Sequence, residues 1–231
     1  MSPFWRGVAL RYARWRVRNG LDGLFIHGLE HARDAVSRGP VTMAATHVSW
    51  WDGLLMAILD DELKTDPRFI MDARNLAKIP MFRAIGAIGI DRSSGARARD
   101  GLLTASDHLS APGSAVWIFP QGRQRPRHIQ PLGLHAGALA LARQDRSRVV
   151  PITLGYGFRE SHLPTGVVTI APALPAGASL DDLEAVYWQG IARTDAFLDG
   201  QTDGFDVLIP SKQRTEHVGL GSKILAWSSR E

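Results

Sequence analysis

Cysteine is absent from this 231-residue chain, and long apolar runs are absent as well. Without cysteine the protein cannot form disulfides, thiolate metal sites or a cysteinyl covalent intermediate, which is compatible with a reducing cellular compartment. The sequence also has no Gly-x-Ser-x-Gly motif, so the serine nucleophile of a hydrolase elbow is missing.

The apolar stretches are too short to cross a bilayer, which takes roughly 18 to 20 uncharged residues. The first 18 residues carry five arginines (Arg6, Arg11, Arg14, Arg16 and Arg18) and lack the apolar segment of a signal peptide. We therefore expect a protein that lies on a membrane at most.

Basic residues outnumber acidic ones by 27 to 23, which gives a formal net charge of +4. A basic patch fits nucleic acid, anionic lipid or a phosphorylated small molecule. Much of the charge lies in the first 18 residues and in the runs 92–99 and 123–127. Near Arg97 and Arg99 the sequence has no aromatic stacking platform and no nucleic-acid-binding module, which argues against a nucleic-acid partner.

Residues 3–18 are predicted to form an amphipathic helix. Its apolar residues recur at spacings of three and four: Phe4, Trp5, Val8, Ala9, Tyr12 and Trp15. Arg11, Arg14 and Arg18 fall mostly on the other face. Because a basic face opposite an aromatic face suits an anionic headgroup layer, we expect residues 1–20 to form a membrane-interface helix. The alternative is a terminal helix whose tryptophan face packs on the domain.

Strand-like and helix-like segments alternate through the rest of the chain. The predicted strands are Val41–Ala45, Arg68–Met71, Ile85–Ile90, Ser114–Phe119, Val149–Leu154 and Val167–Ile170. The predicted helices are Trp50–Leu59, Ala96–Leu109, Leu134–Arg143 and a segment from Ser179 to about Leu198. Ser179 and Asp182 are predicted to form a capping box at the start of the last helix. This alternation predicts one α/β domain over residues 21–231.

The segment from Ala45 to Asp52 is predicted to carry the chemistry. On a continuous helix, His47 and Asp52 would point about 140° apart, since each residue turns about 100°. If the strand ends at Ala45 and Ser49 caps the next helix, the chain bends and the two side chains can approach. Asp52 would then benefit from the helix dipole, and a neutral His47 could act as a general base. The alternative is that Ser49 and Asp52 form an ordinary capping box and His47 is a turn residue.

Two further motifs are compatible with ordinary structural roles. His27-Gly28-Leu29-Glu30-His31 matches a zinc peptidase pattern, but its internal glycine and the strand-like Leu24–Ile26 before it argue against the helix that such a site needs. We therefore predict no metal site. Trp50 and Trp51 are predicted to pack in the core or against a membrane rather than form a ligand cage.

Four short blocks occur in order along the chain. They are His47-x-x-x-x-Asp52, Gly89-Ile90-Asp91-Arg92, Phe119-Pro120-Gln121-Gly122 and Val150-Pro151-Ile152. Together with Lys78-Ile79-Pro80-Met81-Phe82 and the helical segment Gly137–Ala142, they resemble the 1-acylglycerol-3-phosphate acyltransferase family over about residues 25–170. The resemblance implies a mixed, largely parallel β-sheet flanked by helices.

The resemblance also implies roles for individual residues. His47 would take the proton from the acceptor hydroxyl, with Asp52 as its orienting partner. Arg92 would contact the phosphate of a glycerol-phosphate acceptor, a role suited to its planar charged fork. The other substrate-binding residues implied are Lys78, Asp91, Gln121, Gly122, Arg123, Arg125 and Pro151, with Pro151 on the acyl-binding side.

The third block departs from the family pattern. The family usually has Glu after the proline and then Gly-Thr-Arg, whereas this chain has Gln121, and Gln124 stands at the expected arginine position. Glutamine keeps an acceptor oxygen but loses the charge. Arg123 or Arg125 could reach the same anion. An acceptor other than lysophosphatidate therefore stays open.

The sequence thus predicts an acyltransferase at the cytoplasmic face of a membrane, bound peripherally. The expected donor is acyl-CoA or acyl-carrier protein, the expected acceptor is a lysolipid hydroxyl, and no cofactor is expected. The alternatives are a different lipid or glycolipid acceptor, or a non-catalytic lipid-binding relative that Gln121 would favour.

Overall fold

In the computed structural model, which describes residues 2–145 and 147–211, the strands form one eight-stranded sheet. The strands are β1 (Leu24–His27), β2 (Val41–Ala45), β3 (Asp66–Asp72), β4 (Ala87–Ile90), β5 (Ser114–Ile118), β6 (Arg148–Gly157), β7 (Thr165–Ile170) and β8 (Asp206–Ile209). Their order across the sheet is β4-β3-β5-β2-β6-β7-β1-β8.

Helices cover both faces of this sheet. They are α1 (Pro3–Gly20), α2 (Leu29–Ser37), α3 (Asp52–Leu63), α4 (Ala73–Lys78), α5 (Gly95–Ser106), α6 (Gly137–Asp145) and α7 (Leu180–Leu198), with 3₁₀ turns at Pro80–Ile85 and Asp107–Ser110. Helices α1, α2 and α3 contribute to the hydrophobic core on one face, whereas α5 and α6 pack on the other. The result is a three-layer α/β/α arrangement.

Most strand pairs in the sheet are parallel. The run β4-β3-β5-β2-β6 is parallel throughout, whereas β6 pairs with β7 and β1 pairs with β8 in antiparallel fashion. The predicted mixed, largely parallel sheet flanked by helices is therefore confirmed. In such a sheet, loops that follow the carboxyl ends of the parallel strands meet at one edge, where ligands usually bind.

The central strand β2 fixes the point at which the following loop begins. All five of its residues are buried, as expected for a parallel strand covered on both faces. Its register pairs Ala44 with Pro151 of β6 and with Ile118 of β5. The loop after β2 therefore begins from a fixed point between two neighbouring strands.

Helix α1 packs on the domain through the face opposite to its aromatic residues. Ala13 and Val17 are buried in the core with α3, whereas Phe4 and Trp15 are exposed. Two arginines of α1 form ion pairs with α3: Arg6 pairs with Asp60 at 2.8 Å and Arg14 with Asp61 at 2.9 Å. The alternative in which the tryptophan face packs on the domain is thus wrong.

Element boundaries differ from the sequence expectations by a few residues. Helix α3 begins at Asp52 rather than at Trp50, with Trp51 at its N-cap, and Ser49 does not cap it. The Ser179–Asp182 capping box is confirmed at the start of α7. Of the predicted domain, residues 212–231 lie outside the described residues. No helix in the described ranges is long and apolar enough to span a bilayer.

Candidate active site

The loop after β2 brings His47 and Asp52 into contact. Nδ1 of His47 lies 2.7 Å from Oδ2 of Asp52, because the chain turns at residues 46–51 and α3 begins at Asp52. Asp52 is fully buried, whereas 23% of the His47 side chain is exposed. The bend required by the sequence argument is therefore present, and it leaves the histidine ring accessible at one edge.

The Asp52 carboxylate accepts four hydrogen bonds. Its Oδ2 accepts from the backbone N–H groups of Val48 at 2.7 Å and Ser49 at 2.9 Å, and also bonds His47. Its Oδ1 accepts from the Tyr156 hydroxyl at 2.8 Å. The carboxylate thus serves as the acceptor in all of these contacts, and it accepts from an Nδ1–H of His47. The remaining ring nitrogen, Nε2, is then the one that can receive a proton.

Tyr156 was not identified from the sequence. It lies in β6, 104 residues from Asp52 in the chain. Burial, followed by the negative charge of Asp52, raises the pKa of Tyr156 well above its ordinary value. The hydroxyl therefore stays protonated and donates a hydrogen bond to Asp52. A tyrosine two residues after the predicted strand Val149–Leu154 is a weak sequence signal, and its role depends on how β6 lies beside β2 in the sheet.

The loop after β5 holds the backbone of His47 on both sides. Oε1 of Gln121 accepts from the His47 N–H at 2.5 Å, and the Arg125 N–H donates to the His47 carbonyl at 2.8 Å. The Phe119 ring stacks on the imidazole with centroids 4.2 Å apart. Gln121 is 2% exposed, and its Nε2 has no hydrogen-bond partner among the described residues. The structure thus places the Gln121 side chain beneath the loop that carries His47 rather than on the protein surface.

Arg92 lies over the glycine of the same loop. A Cβ atom added at Gly122 would lie 2.2 Å from Nη1 of Arg92, so a larger residue would displace the guanidinium. Gly122 also has a φ of +64°, a conformation that favours glycine. Nη2 of Arg92 lies 3.6 Å from Asp72, which follows from the adjacent ends of β3 and β4. The half-exposed Arg92 guanidinium therefore lies against Gly122, the residue next to Gln121, which in turn accepts the His47 N–H.

Two predicted substrate residues lie apart from this contact network. Asp91 accepts from the Ser93 N–H and pairs with Arg97, and these bonds lower the pKa of its carboxyl to about 2. Lys78 is exposed at the end of α4. In the described ranges no hydrogen bond or ion pair joins either residue to His47 or Asp52.

The remaining predicted residues have different surroundings. Arg123 is exposed. The Arg125 guanidinium lies over Gly133, where an added Cβ would meet its Nη1 at 1.8 Å. Pro151 is buried within β6, and its carbonyl accepts from the Ala171 N–H at 3.0 Å. Its predicted role on the acyl-binding side stays a prediction.

The residues of the zinc-like pattern do not gather around a common point. His27 lies at the end of β1, and its Nε2 is 2.6 Å from Arg193. His31 lies in α2, 3.7 Å from Glu30. Within the part of the chain that the structure describes, no three His, Asp or Glu side chains are grouped to hold a metal ion.

Comparison with known proteins identifies the family of this chain. The acyltransferase family matches residues 23–155, more than half of the chain. The chain belongs to the acyltransferase family. This acyltransferase therefore carries the His47–Asp52 pair, Arg92, Gln121 and Gly122 inside the matched region, whereas Tyr156 lies one residue beyond it. No curated protein matches the chain.

A solved structure agrees with the family assignment. The acyltransferase is similar to the 1-acyl-sn-glycerophosphate (LPA) acyltransferase PlsC from Thermotoga maritima, with a TM-score of 0.59 and 15% sequence identity. The similarity covers 84% of this chain and 80% of that one. At this identity it establishes a common fold. The acyltransferase family expected from the four sequence blocks is confirmed by the family match, and the expected fold by this structure.

Proposed function

We propose that this acyltransferase moves a fatty acyl group from acyl-CoA or acyl-carrier protein to the hydroxyl of a lysolipid, with 1-acylglycerol-3-phosphate as the leading acceptor. The observation that carries the proposal is the 2.7 Å contact between His47 and a fully buried, four-fold hydrogen-bonded Asp52. That arrangement fits a general base whose tautomer is fixed by a carboxylate.

The transfer needs a base and a positioned hydroxyl, because a thioester is already activated. Nε2 of His47 removes the proton from the acceptor hydroxyl while its oxygen attacks the thioester carbonyl. The resulting tetrahedral intermediate collapses and expels the thiolate, which receives the proton from the imidazolium. Asp52 stabilises the imidazolium between the two steps. Neither a covalent enzyme intermediate nor a metal is part of this scheme.

The acceptor phosphate is proposed to bind at Arg92. The guanidinium is half-exposed above Gly122, and its neighbour Gln121 contacts the His47 backbone. This connection supports a phosphate site at a short distance from the base. Arginine suits the role because its fork can bind two phosphate oxygens at once.

A membrane is proposed to supply the acceptor. Four aromatic residues of α1 are exposed: Phe4, Trp5, Tyr12 and Trp15. Trp50, two residues before Asp52, is also exposed, and the Arg16 guanidinium lies 5.9 Å from the Trp15 ring centre and 5.5 Å from that of Trp50. An aromatic surface that reaches the catalytic loop suits the headgroup boundary, where tryptophan favours one wet and one apolar side. We propose peripheral binding at the cytoplasmic face.

A different acceptor headgroup is the second candidate. Gln124, at the family's arginine position, is exposed, and the neighbouring Arg125 side chain lies over Gly133 instead of Gly122. The basic groups around the acceptor therefore differ from the family pattern. A lipid or glycolipid with a hydroxyl but a different headgroup would keep the same His47 chemistry.

Mass spectrometry of products tests these proposals. The purified protein would be incubated with acyl-CoA or acyl-carrier protein and a panel of lysolipids and glycolipids, with His47→Ala as control. The expected result is an acylated lysophosphatidate that is absent in the control. A product formed only from another lipid would support the second candidate. No product from any pair, or equal product from His47→Ala, would overturn the proposed reaction.

A further inference from the structure

Tyr156 occupies a particular place beside the dyad. It lies in the penultimate position of β6 and pairs with Gly166 of β7, and its hydroxyl donates to Oδ1 of Asp52 at 2.8 Å. The family match ends at residue 155, so it does not extend to this tyrosine. The proposed reaction uses His47 and Asp52 and leaves the hydroxyl of Tyr156 without an assigned role.

The hydrogen bonds of Asp52 are divided unequally between its oxygens. Oδ2 bonds His47 and two backbone N–H groups, whereas Oδ1 has Tyr156 as its one partner among the described residues. A fully buried carboxylate oxygen that loses its donor loses stabilisation of its charge. The two oxygens of Asp52 therefore depend on different parts of the chain, the local turn and strand β6.

The backbone of Tyr156 is itself held firmly. Arg127 donates to the Tyr156 carbonyl at 3.1 Å and to Asp195 of α7 at 2.7 Å. Gly155 lies so close to α7 that an added Cβ would meet Thr194 at 2.3 Å. These contacts fix the depth of the tyrosine ring relative to Asp52. A side chain held in place by packing and hydrogen bonds is typical of residues that orient a catalytic group.

We propose that Tyr156 is a positioning residue that sets the basicity of His47 through Asp52. The inference rests on the proposed His47–Asp52 mechanism. By donating to Oδ1, the hydroxyl takes up part of the negative charge of Asp52 and fixes the plane of the carboxylate, so Oδ2 faces His47 Nδ1. Without the hydroxyl, Asp52 stabilises the imidazolium more strongly and His47 holds its proton at higher pH.

Few other charged groups lie next to the His47–Asp52 pair. Arg127 and Asp195 pair with each other beside the Tyr156 backbone, and Arg125 contacts His47 through its backbone N–H. His135 and Arg92 lie against Gly122. Apart from the His47–Asp52 pair itself, no ion pair in the described ranges involves either member. A change at the Tyr156 hydroxyl therefore acts mainly on Asp52.

The test compares Tyr156→Phe with Tyr187→Phe. Tyr187 is a suitable control because it is buried and its hydroxyl donates to the Ala44 carbonyl at 2.9 Å rather than to Asp52. In Tyr156→Phe we expect kcat to fall about tenfold with little change in KM, and the acid limb of the kcat/KM profile to move to higher pH. In Tyr187→Phe we expect the acid limb to stay at the wild-type position.

A second measurement makes the inference independent of turnover. The His47 ring can be followed by NMR in the purified protein as the pH is changed. We expect its titration midpoint to be higher in Tyr156→Phe than in the wild type and in Tyr187→Phe. Equal midpoints in all three proteins would overturn the inference, even if the enzyme proves active. A raised midpoint in a protein without turnover would support it while counting against the proposed reaction.

Discussion

Gln121 contacts the backbone of His47: its Oε1 accepts the His47 N–H at 2.5 Å, across 74 residues of sequence. The loop after β5 thus holds the loop after β2 at the residue proposed to act as base. Since the side chain is buried, the departure from the family's glutamate changes a support of the His47 loop rather than an exposed group.

The first prediction concerns this support. Gln121→Leu removes the acceptor of the His47 N–H, so we expect the free energy of unfolding to fall by about 1–3 kcal/mol and turnover to fall with it. Gln121→Glu keeps an acceptor oxygen and should retain the wild-type position of His47. Denaturant unfolding and turnover measured on both variants check this. Equal damage from the two substitutions would contradict a role that depends on the acceptor oxygen.

The second prediction separates His47 from Asp52. His47→Ala removes a partly exposed ring, so we expect loss of turnover with little change in unfolding free energy. Asp52→Asn places an NH₂ group among the N–H donors of Val48 and Ser49 and the Tyr156 hydroxyl. We therefore expect it to lose turnover and also about 3 kcal/mol of stability.

Thermal or denaturant unfolding beside a turnover assay distinguishes the two variants. Circular dichroism of each folded variant is the control that the domain is intact. An Asp52→Asn protein as stable as His47→Ala would contradict the four-donor description of the carboxylate.

The local part of the site was accessible from sequence, whereas its long-range supports were not. The strand-to-helix bend at residues 46–51 follows from a buried β2 segment and a following apolar helix, and it brings His47 and Asp52 together. Tyr156 could not be predicted, because its contact with Asp52 depends on the register of β6 against β2. Strand register is set by tertiary packing rather than by local residue preference.

The orientation of α1 has a similar explanation. Amphipathic spacing identifies two faces of a helix but does not decide which one packs on the domain. In the structure the packed face buries Ala13 and Val17 in the core. The same side carries Arg6 and Arg14, which pair with acidic residues of α3. Strand β8 was missed for a related reason: its short segment is stabilised by pairing with β1, far away in sequence.

The third prediction addresses the exposed aromatic residues of α1. Phe4 and Trp15 are 66% and 57% exposed, so changing both to Ser should leave the fold intact and weaken binding to anionic vesicles by at least about tenfold. Co-sedimentation with phosphatidylglycerol-containing vesicles measures this. The control is Leu103→Ser, which changes a 45% exposed apolar side chain on α5, a helix that packs on the other face of the sheet. Vesicle binding reduced to the same extent by the control would contradict the assignment.

The fourth prediction concerns recognition of the acceptor phosphate. Arg92→Ala should raise KM for lysophosphatidate by about tenfold or more, because it removes charge-assisted hydrogen bonds, and should affect monoacylglycerol far less. Arg97→Ala is the matched control, since Arg97 is an exposed arginine of the same region that pairs with Asp91. Steady-state kinetics with both acceptors gives the two ratios. Equal losses on the phosphorylated and unphosphorylated acceptors would show that Arg92 does not read the phosphate.

The last prediction concerns Asp60, the buried carboxylate that holds α1 to α3. It pairs with Arg6 at 2.8 Å and accepts from the Thr65 hydroxyl, yet burial raises the pKa of Asp60 to about 6. Because this pKa lies above the ordinary carboxyl value, the folded protein binds the proton more tightly than the unfolded chain. The contribution of Asp60 to stability therefore improves as pH falls from above 6 towards 4, by an amount on the order of 2 kcal/mol.

Comparing Asp60→Asn with the wild type isolates this contribution, since the other titrating groups are common to both proteins. We expect the difference in unfolding free energy between them to change by roughly that amount between pH 7.5 and pH 4.5. Asp61→Asn is the control, because it removes one of the two ion pairs of Arg14, at a partly exposed position of the same helix contact. Its difference from the wild type should vary little with pH. A constant difference for Asp60→Asn would mean that the buried carboxylate is not what couples the attachment of α1 to pH.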